Sequence, residues 1–318
     1  MPHAVIAFES NGLRLTGTVT MPAGREGLVP AVLLVSGSGP IDRDGNHKRL
    51  KLDIQRQLAL ALADNGVASL RYDKRGVGAS EGAFLEAGLY DNVDDAAAAF
   101  AALRAQPGID ANRVFIVGHS EGAIIAAALA ARTSAAAGVV LLSATARRGD
   151  ELLLWQARAL TPTMPSIVRL ILRLTRTDLV TKVSKNHDAI RRTVTDVARL
   201  GGRKINAKWL REFLAHDPRK DYPLITAPVL ILTGRKDLQT PADDVQTIAS
   251  LLAGEATTFI VDDVSHILRT QEGEPTLQSY RKDARRPIDG RVVDHITSWI
   301  RQVAESPSHA PASGEPND

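Results

Sequence analysis

Short apolar runs alternate along this chain with longer segments of helical periodicity, and that alternation predicts an α/β protein. Two strands open it, about Ala4–Glu9 and Leu13–Thr20, with Asn11-Gly12 between them as a hairpin signal. Ala31–Ser36 (AVLLVS) is apolar throughout, the pattern of a strand buried on both faces. Leu50–Asn65 has a helical period and meets a stop at Gly66. Val67–Arg71 reads as a strand, and the alanine-rich Asn92–Gln106 as a helix closed by Pro107-Gly108. Arg113–Val117 and Gly138–Ser143 read as strands on either side of the helix-forming run Ala123–Ala130. Further on, Pro228–Thr233 (PVLILT) and Thr257–Val261 are strands, while Ala242–Leu252 and Val292–Val303 are helices. The expected product is a mainly parallel sheet covered on both faces, with the opening hairpin as an antiparallel edge.

One interruption breaks the alternation, between Ser143 and Pro228. Glu151–Leu160, Ser166–Thr175, roughly Lys185–Leu200 and Lys208–Ala215 look helical, with no strand pattern among them, and Pro162 and Pro165 separate the first two. Leu152, Leu153, Leu154 and Trp155 form an apolar run in the first, and Ile167, Leu170, Ile171 and Leu174 a stripe in the second. The expected division is a core of residues 1–144 and 223–305, a helical cap of residues 145–222, and a disordered tail of residues 306–318 rich in Pro, Ser, Gly and acids. A cap above the site and a purely structural elaboration are the two readings of the insertion.

The 318 residues suit one large α/β domain with an insertion. The net charge of +3 comes from 39 basic and 36 acidic residues, and Arg147-Arg148, Arg191-Arg192 and Arg285-Arg286 are isolated pairs rather than a stripe, which argues against a nucleic-acid partner. With no cysteine, disulfides, thiolate catalysis and Cys-ligated metals are excluded. Residues 1–20 show no basic segment followed by an apolar one, and no apolar run is long enough for a membrane span, so a cytoplasmic protein is the expectation.

Chemistry concentrates at Gly118-His119-Ser120-Glu121-Gly122. This G-x-S-x-G lies between a strand and a helix. A tight turn there would lift the Ser120 hydroxyl out of the sheet and set the next N–H groups at a helix N-terminus, where an oxyanion is stabilised. A serine hydroxyl needs a base beside it. Among the eight histidines, His3 and His309 are terminal, His47 lies in a polar loop, His187 and His216 fall in the insertion, and His295 lies on the closing helix. His119 adjoins the serine and should point elsewhere. His266 remains, in a loop that follows a strand and can reach the top of the sheet. Its carboxylate partner should be Asp237, at the carboxyl end of the strand Pro228–Thr233; Asp262 and Asp263 read as turn residues. Oxyanion donors are expected from the N–H of Glu121 and from the loop Ser36-Gly37-Ser38-Gly39-Pro40, with Ser38 first and Gly37 next. No phosphate-binding glycine motif is present there to compete.

With Ser120, Asp237 and His266 in that chain order, the sequence resembles the α/β-hydrolases, and more narrowly the bacterial carboxylesterases of the serine-aminopeptidase-like branch, over about residues 5–304. Ser36–Gly45 (SGSGPIDRDG) resembles the G-S-G-P-x-D-R-D loop of one carboxylesterase subgroup, and Arg71–Ser80 (RYDKRGVGAS) the R-x-D-x-R-G-x-G-x-S segment after strand four. Many relatives carry His-Gly where this chain has Ser36-Gly37. The resemblance implies a Ser-His-Asp triad, no metal or organic cofactor, and hydrolysis of small carboxylic esters of short to medium acyl length. Aminopeptidase, acyl-peptide hydrolase, thioesterase or acyltransferase activity with the same triad is the alternative, and a non-catalytic binding protein is disfavoured by the complete set. Asp73 and Arg75 are expected to brace their loop by an internal ion pair. Asp42-Arg43-Asp44 reads as a loop-bracing network, with substrate binding as its alternative.

Overall fold

The alternating apolar segments assemble into an eight-stranded sheet with helices on both faces. The structure is a computed structural model, and it describes residues 2–24, 27–175 and 178–306. The chain begins with β1 (His3–Ser10), β2 (Leu13–Thr20) and β3 (Val29–Val35), then a small hairpin of β4 (Asn46–His47) and β5 (Leu50–Lys51). α1 (Ile54–Asp64), β6 (Ala68–Tyr72), α2 (Leu89–Arg104), β7 (Ile109–His119), α3 (Glu121–Ala130) and β8 (Gly138–Leu142) follow. The segment after β8 holds α4 (Gly149–Leu160), α5 (Ser166–Leu174), α6 (Leu179–Arg191), β9 (Val197–Leu200), β10 (Arg203–Asn206) and α7 (Ala207–Ala215). β11 (Val229–Gly234), α8 (Asp244–Leu251), β12 (Ala256–Val261), α9 (Tyr280–Asp283) and α10 (Gly290–Glu305) complete the order.

Across the sheet the order is β1-β2-β6-β3-β7-β8-β11-β12. β1 and β2 pair antiparallel, and β2 lies antiparallel on β6. From β6 onward every neighbour is parallel, as strands joined by crossover helices must be. The period of two decides the layers. In β3, Ala31, Leu33 and Val35 face a core built with α2 and α3, whereas Val32 and Leu34 face one built with α1 and α10. Both faces are apolar, so these strands read as unbroken apolar runs. The expected α/β-hydrolase fold is the one observed. Among the described residues no helix is long and apolar enough to cross a membrane.

The structure corrects several local expectations. The first helix starts at Ile54, not Leu50, because Asp53 adopts a left-handed φ of 57° that a helix cannot continue through. Leu50 and Lys51 pair instead with His47 and Asn46. The segment after β8 is not purely helical: β9 and β10 form a hairpin closed by Gly201-Gly202, both at positive φ, as a two-residue primed turn requires. The helix expected over Lys185–Leu200 therefore ends at Arg191. On α5 the apolar stripe does not dock: Ile167, Leu170 and Leu174 are 63%, 48% and 75% exposed. The side chain of Ile171, like the tail from residue 307 onward, lies outside the described residues. On α4, by contrast, Leu152 is buried against Ile124 of α3 and Phe213 of α7.

Asp73 and Arg75 do not pair with each other. Asp73 is held by Arg43, with the Arg43 N–H and Nε donating at 2.7 and 3.1 Å, and Arg75 grips Asp95 at 2.7 and 2.8 Å. Arg71 donates to Asp44 at 2.8 Å, and Asp42 accepts from the N–H groups of Asp44 and Asn46. The Asp42-Arg43-Asp44 loop and the Arg71–Ser80 segment thus brace one another.

The closing helix carries a testable cap. Asp289 accepts from the Arg291 N–H and from Thr270, and its bonds to Arg291 hold its carboxyl down to about 2. A carboxyl held below its usual value stabilises the fold above the ordinary carboxylate range, and that contribution is lost as the pH falls through about 2. Asp289→Ala should cost about 1 kcal/mol at neutral pH. In urea titrations the gap to the parent should hold down to about pH 4 and narrow below it. A gap that does not depend on pH would contradict this role.

Candidate active site

Ser120 stands where β7 turns into α3, and it takes φ 59° and ψ −122°, a strained conformation for a residue with a side chain. The turn closes only because its flanks are glycines. A Cβ at Gly118 would run into the Gly122 carbonyl, and one at Gly122 into the Val35 carbonyl. The Ser120 N–H is tied to the Leu142 carbonyl at 2.9 Å, and its own carbonyl accepts from Ala123 at 2.9 Å. Glu121 opens α3, so its N–H has no acceptor within the helix. Gly37 packs against the turn: a Cβ there would lie 3.4 Å from the Ser120 Cβ. Ser38, next along, lines a cavity together with Ser120 and Glu121.

His266 comes from the loop after β12, and Arg269 of that loop anchors it both to itself and to the segment before α1. Arg269 donates to the carbonyls of Ile267 at 2.7 Å and Leu52 at 2.5 Å, and burial pulls its guanidinium down to about 10. The His266 carbonyl accepts from His119 Nε2 at 2.8 Å. Burial, with the His266 charge beside it, pushes the His119 imidazole down to about 3, so it serves as a neutral donor. His119 does not point elsewhere, as its place beside the serine predicts; instead it turns into the site's wall, its ring centroid 5.1 Å from that of His266, because its Nε2–H holds the His266 carbonyl.

Ser120, His266 and Asp237 come together. His266 Nε2 lies 3.0 Å from Ser120 Oγ, and His266 Nδ1 lies 2.8 Å from Asp237 Oδ2. Asp237 follows β11, and its carboxylate also accepts from the N–H groups of Gln239 and Thr240 at 2.7 and 2.9 Å and from Thr240 Oγ1 at 2.8 Å. Burial alone would raise this carboxyl, but the His266 charge and these bonds hold it below the usual carboxylate range. An acid so held accepts from Nδ1–H, which leaves Nε2 free to accept from the Ser120 hydroxyl. The other candidates do not join. His295 stacks on Phe259 at 3.7 Å, His216 lies 3.2 Å from Asp221, and Asp262 and Asp263 pair with Arg235 and Lys236.

A family model described as serine aminopeptidase, S33, matches residues 53–270. The chain belongs to the S33 serine aminopeptidase-like family of α/β-hydrolases. Among curated relatives of this S33 family member, esterase EstD of Thermotoga maritima is 29% identical over 293 residues, which is 90% of this chain. The chain spans 65% of that relative's length. Among solved structures, ferulic acid-bound Est1E of Butyrivibrio proteoclasticus superposes with a TM-score of 0.64 at 16% identity, over 95% of this chain and all of that one. Proline iminopeptidase of Mycobacterium smegmatis gives a TM-score of 0.64 at 16% identity, over 94% and 98%. At such identities the structures speak to the fold.

Two cavities open on Ser120 in this S33 family member. One, of about 100 Å³, is walled by Ser38, Glu121, Ile124, Leu152, Leu153 and Phe213. The other, of about 340 Å³, contains His266 together with Ile41, Leu50, Leu52, Leu277 and Tyr280. Sequence reasoning missed the residues that brace the site from afar. Glu121 is buried, and its carboxylate accepts from Lys74 Nζ at 3.2 Å, Asn92 Nδ2 at 3.3 Å and Trp209 Nε1 at 2.7 Å. Each of those partners is distant in sequence, and a charged residue inside an otherwise small-residue turn was the one signal available.

Proposed function

We propose that this protein is a serine hydrolase that cleaves carboxylic esters of short to medium acyl length through an acyl-enzyme. The observation that carries the reading is the chain of bonds from Asp237 through His266 to Ser120, at 2.8 and 3.0 Å, beside the free N–H that opens α3. Ser120 Oγ attacks the ester carbonyl as His266 Nε2 takes its proton, and Asp237 steadies the imidazolium. The N–H groups of Glu121 and Ser38, with Gly37 shaping the loop, receive the oxyanion. His266 then gives the proton to the leaving alkoxide as the C–O bond breaks. Water, deprotonated by His266, releases the acid by the same steps in reverse.

His266 must reach the leaving oxygen, so the alcohol belongs in the larger cavity that His266 lines, and the acyl group in the smaller one. Residues 145–222 act in this reading as a cap, since α4 and α7 supply Leu152, Leu153 and Phe213 to the acyl wall. A filling substitution, Leu153→Trp, should cut turnover of butyryl esters by about tenfold or more relative to acetyl esters and leave the melting temperature near that of the parent. If such substitutions move only the melting temperature, the cap is scaffold.

An aminopeptidase reading has the family description in its favour, and it asks for a carboxylate free to hold a substrate amine. Glu121, the carboxylate that lines the acyl cavity, is already taken up by Lys74, Asn92 and Trp209. The deciding experiment is a panel of nitrophenyl esters of increasing acyl length beside aminoacyl anilides and acyl thioesters. Esters from acetyl to butyryl should turn over fastest; anilides or thioesters turned over faster than every ester would overturn the ester reading.

A further inference from the structure

We infer, building on the serine-hydrolase reading above, that Lys74 and Glu121 form a positioning pair that orients both oxyanion donors. Lys74 follows β6, and its side chain is 4% exposed, as Glu121's is 3%. Its ammonium makes two contacts: to the Gly37 carbonyl at 2.7 Å and to Glu121 Oε2 at 3.2 Å.

The consequence follows from the peptide group. The Gly37 carbonyl and the Ser38 N–H belong to one planar unit, which is trans because the chain has no cis bonds among the described residues. In a trans peptide the C=O and N–H point in opposite directions. With its oxygen drawn toward Lys74, this peptide turns the Ser38 N–H away from Lys74, toward the side where Gly37 packs on Ser120. The opposite orientation would aim a carbonyl at the developing oxyanion, which repels it. Lys74 is therefore the lock on that peptide.

The same ammonium reaches the second donor. Glu121 carries the other N–H of the hole, and its carboxylate is fixed by Lys74, by Asn92 of α2 and by Trp209 of α7. One lysine thus ties the loop after β3 to the start of α3, and Trp209 ties both to the segment that supplies the acyl wall. A buried ion pair stabilises a fold no better than apolar side chains of similar size. Its use here is geometric.

Lys74→Met alone would strand the Glu121 carboxylate in the interior, so the informative variant is Lys74→Met with Glu121→Gln, which removes both charges and keeps the shape. With nitrophenyl butyrate, kcat should fall on the order of 10²-fold while KM stays within about threefold. Affinity for an alkyl trifluoromethyl ketone, whose adduct on Ser120 places a negative oxygen in the hole, should weaken by the same factor as kcat. A merely structural pair would leave both near the parent values in the folded fraction. If the double variant does not fold, Lys74→Leu with Glu121→Gln, likewise free of both charges, decides, and its loss must again appear in kcat and inhibitor affinity together. The inference is overturned if a folded variant keeps kcat and inhibitor affinity, or loses kcat without losing affinity. Should the parent itself neither hydrolyse esters nor react at Ser120, the serine-hydrolase reading fails and takes this pair's role with it.

Discussion

Ser120→Ala should reduce ester turnover by about 10⁴-fold or more while the protein remains folded. The expectation rests on what the hydroxyl does and does not touch. Its hydrogen-bond partner is His266 Nε2 at 3.0 Å, so its removal leaves the sheet, the α3 N-terminus and the Asp237–His266 bond in place. The backbone strain at φ 59° is held by the surrounding turn, which alanine can occupy with the same Cβ. Stability should therefore shift by no more than about 1 kcal/mol. Residual hydrolysis would come from the oxyanion donors and from His266 acting on water. Steady-state kcat/KM with nitrophenyl butyrate, beside a thermal melt, checks both halves. A folded variant with near-parental turnover would remove Ser120 from the chemistry.

Asp237→Asn should be nearly as damaging, with a loss of about 10³- to 10⁴-fold in kcat. The carboxylate accepts four bonds: from His266 Nδ1, from two backbone N–H groups and from Thr240 Oγ1. An amide has one oxygen, and the N–H groups of Gln239 and Thr240, both on Oδ1, would claim it. The amide nitrogen would then face His266 and donate to Nδ1. That shifts the imidazole proton to Nε2, which points at Ser120 and can no longer accept the serine proton. The loss should appear in kcat with KM little changed, and His266→Ala should cost a comparable factor. A loss below tenfold would indicate that Asp237 anchors the loop rather than sets the tautomer.

Much of the fold was legible because buried parallel strands write themselves as apolar runs. β2 falls on its expected residues, and the runs around Leu33, Val117, Leu141 and Ile231 all lie in the sheet. The serine turn was legible for a related reason, since its glycines are demanded by backbone contacts that no other residue fits. His266 and Asp237 could be chosen by their place after a strand, because the strand ends of a parallel sheet share one rim. What stayed hidden was set by long-range partners. The pattern Arg71–Ser80 suggested a pair within itself, whereas Asp73 bonds to Arg43 and Arg75 to Asp95. Lys74 was an unremarked position in that motif, and its acceptor, the Gly37 carbonyl, leaves no trace in composition or period. The β9–β10 hairpin escapes the pattern although Gly201-Gly202 is a turn signal, because the flanking strands, VARL and RKIN, are four residues each and too short to show a period of two. The stripe on α5 shows the opposite error: helical amphipathicity identified the helix but not the solvent its apolar face meets.

The central claim is that Ser120 is the nucleophile, and covalent labelling tests it most directly. An alkyl fluorophosphonate should modify the parent protein once, with peptide mapping placing the adduct on Ser120, and Ser120→Ala should take up none. Replacing His266 by alanine should slow labelling greatly, since the hydroxyl then lacks its base. An adduct mapped to Ser36, Ser38 or Ser143, or a folded parent that resists the reagent altogether, would contradict the account.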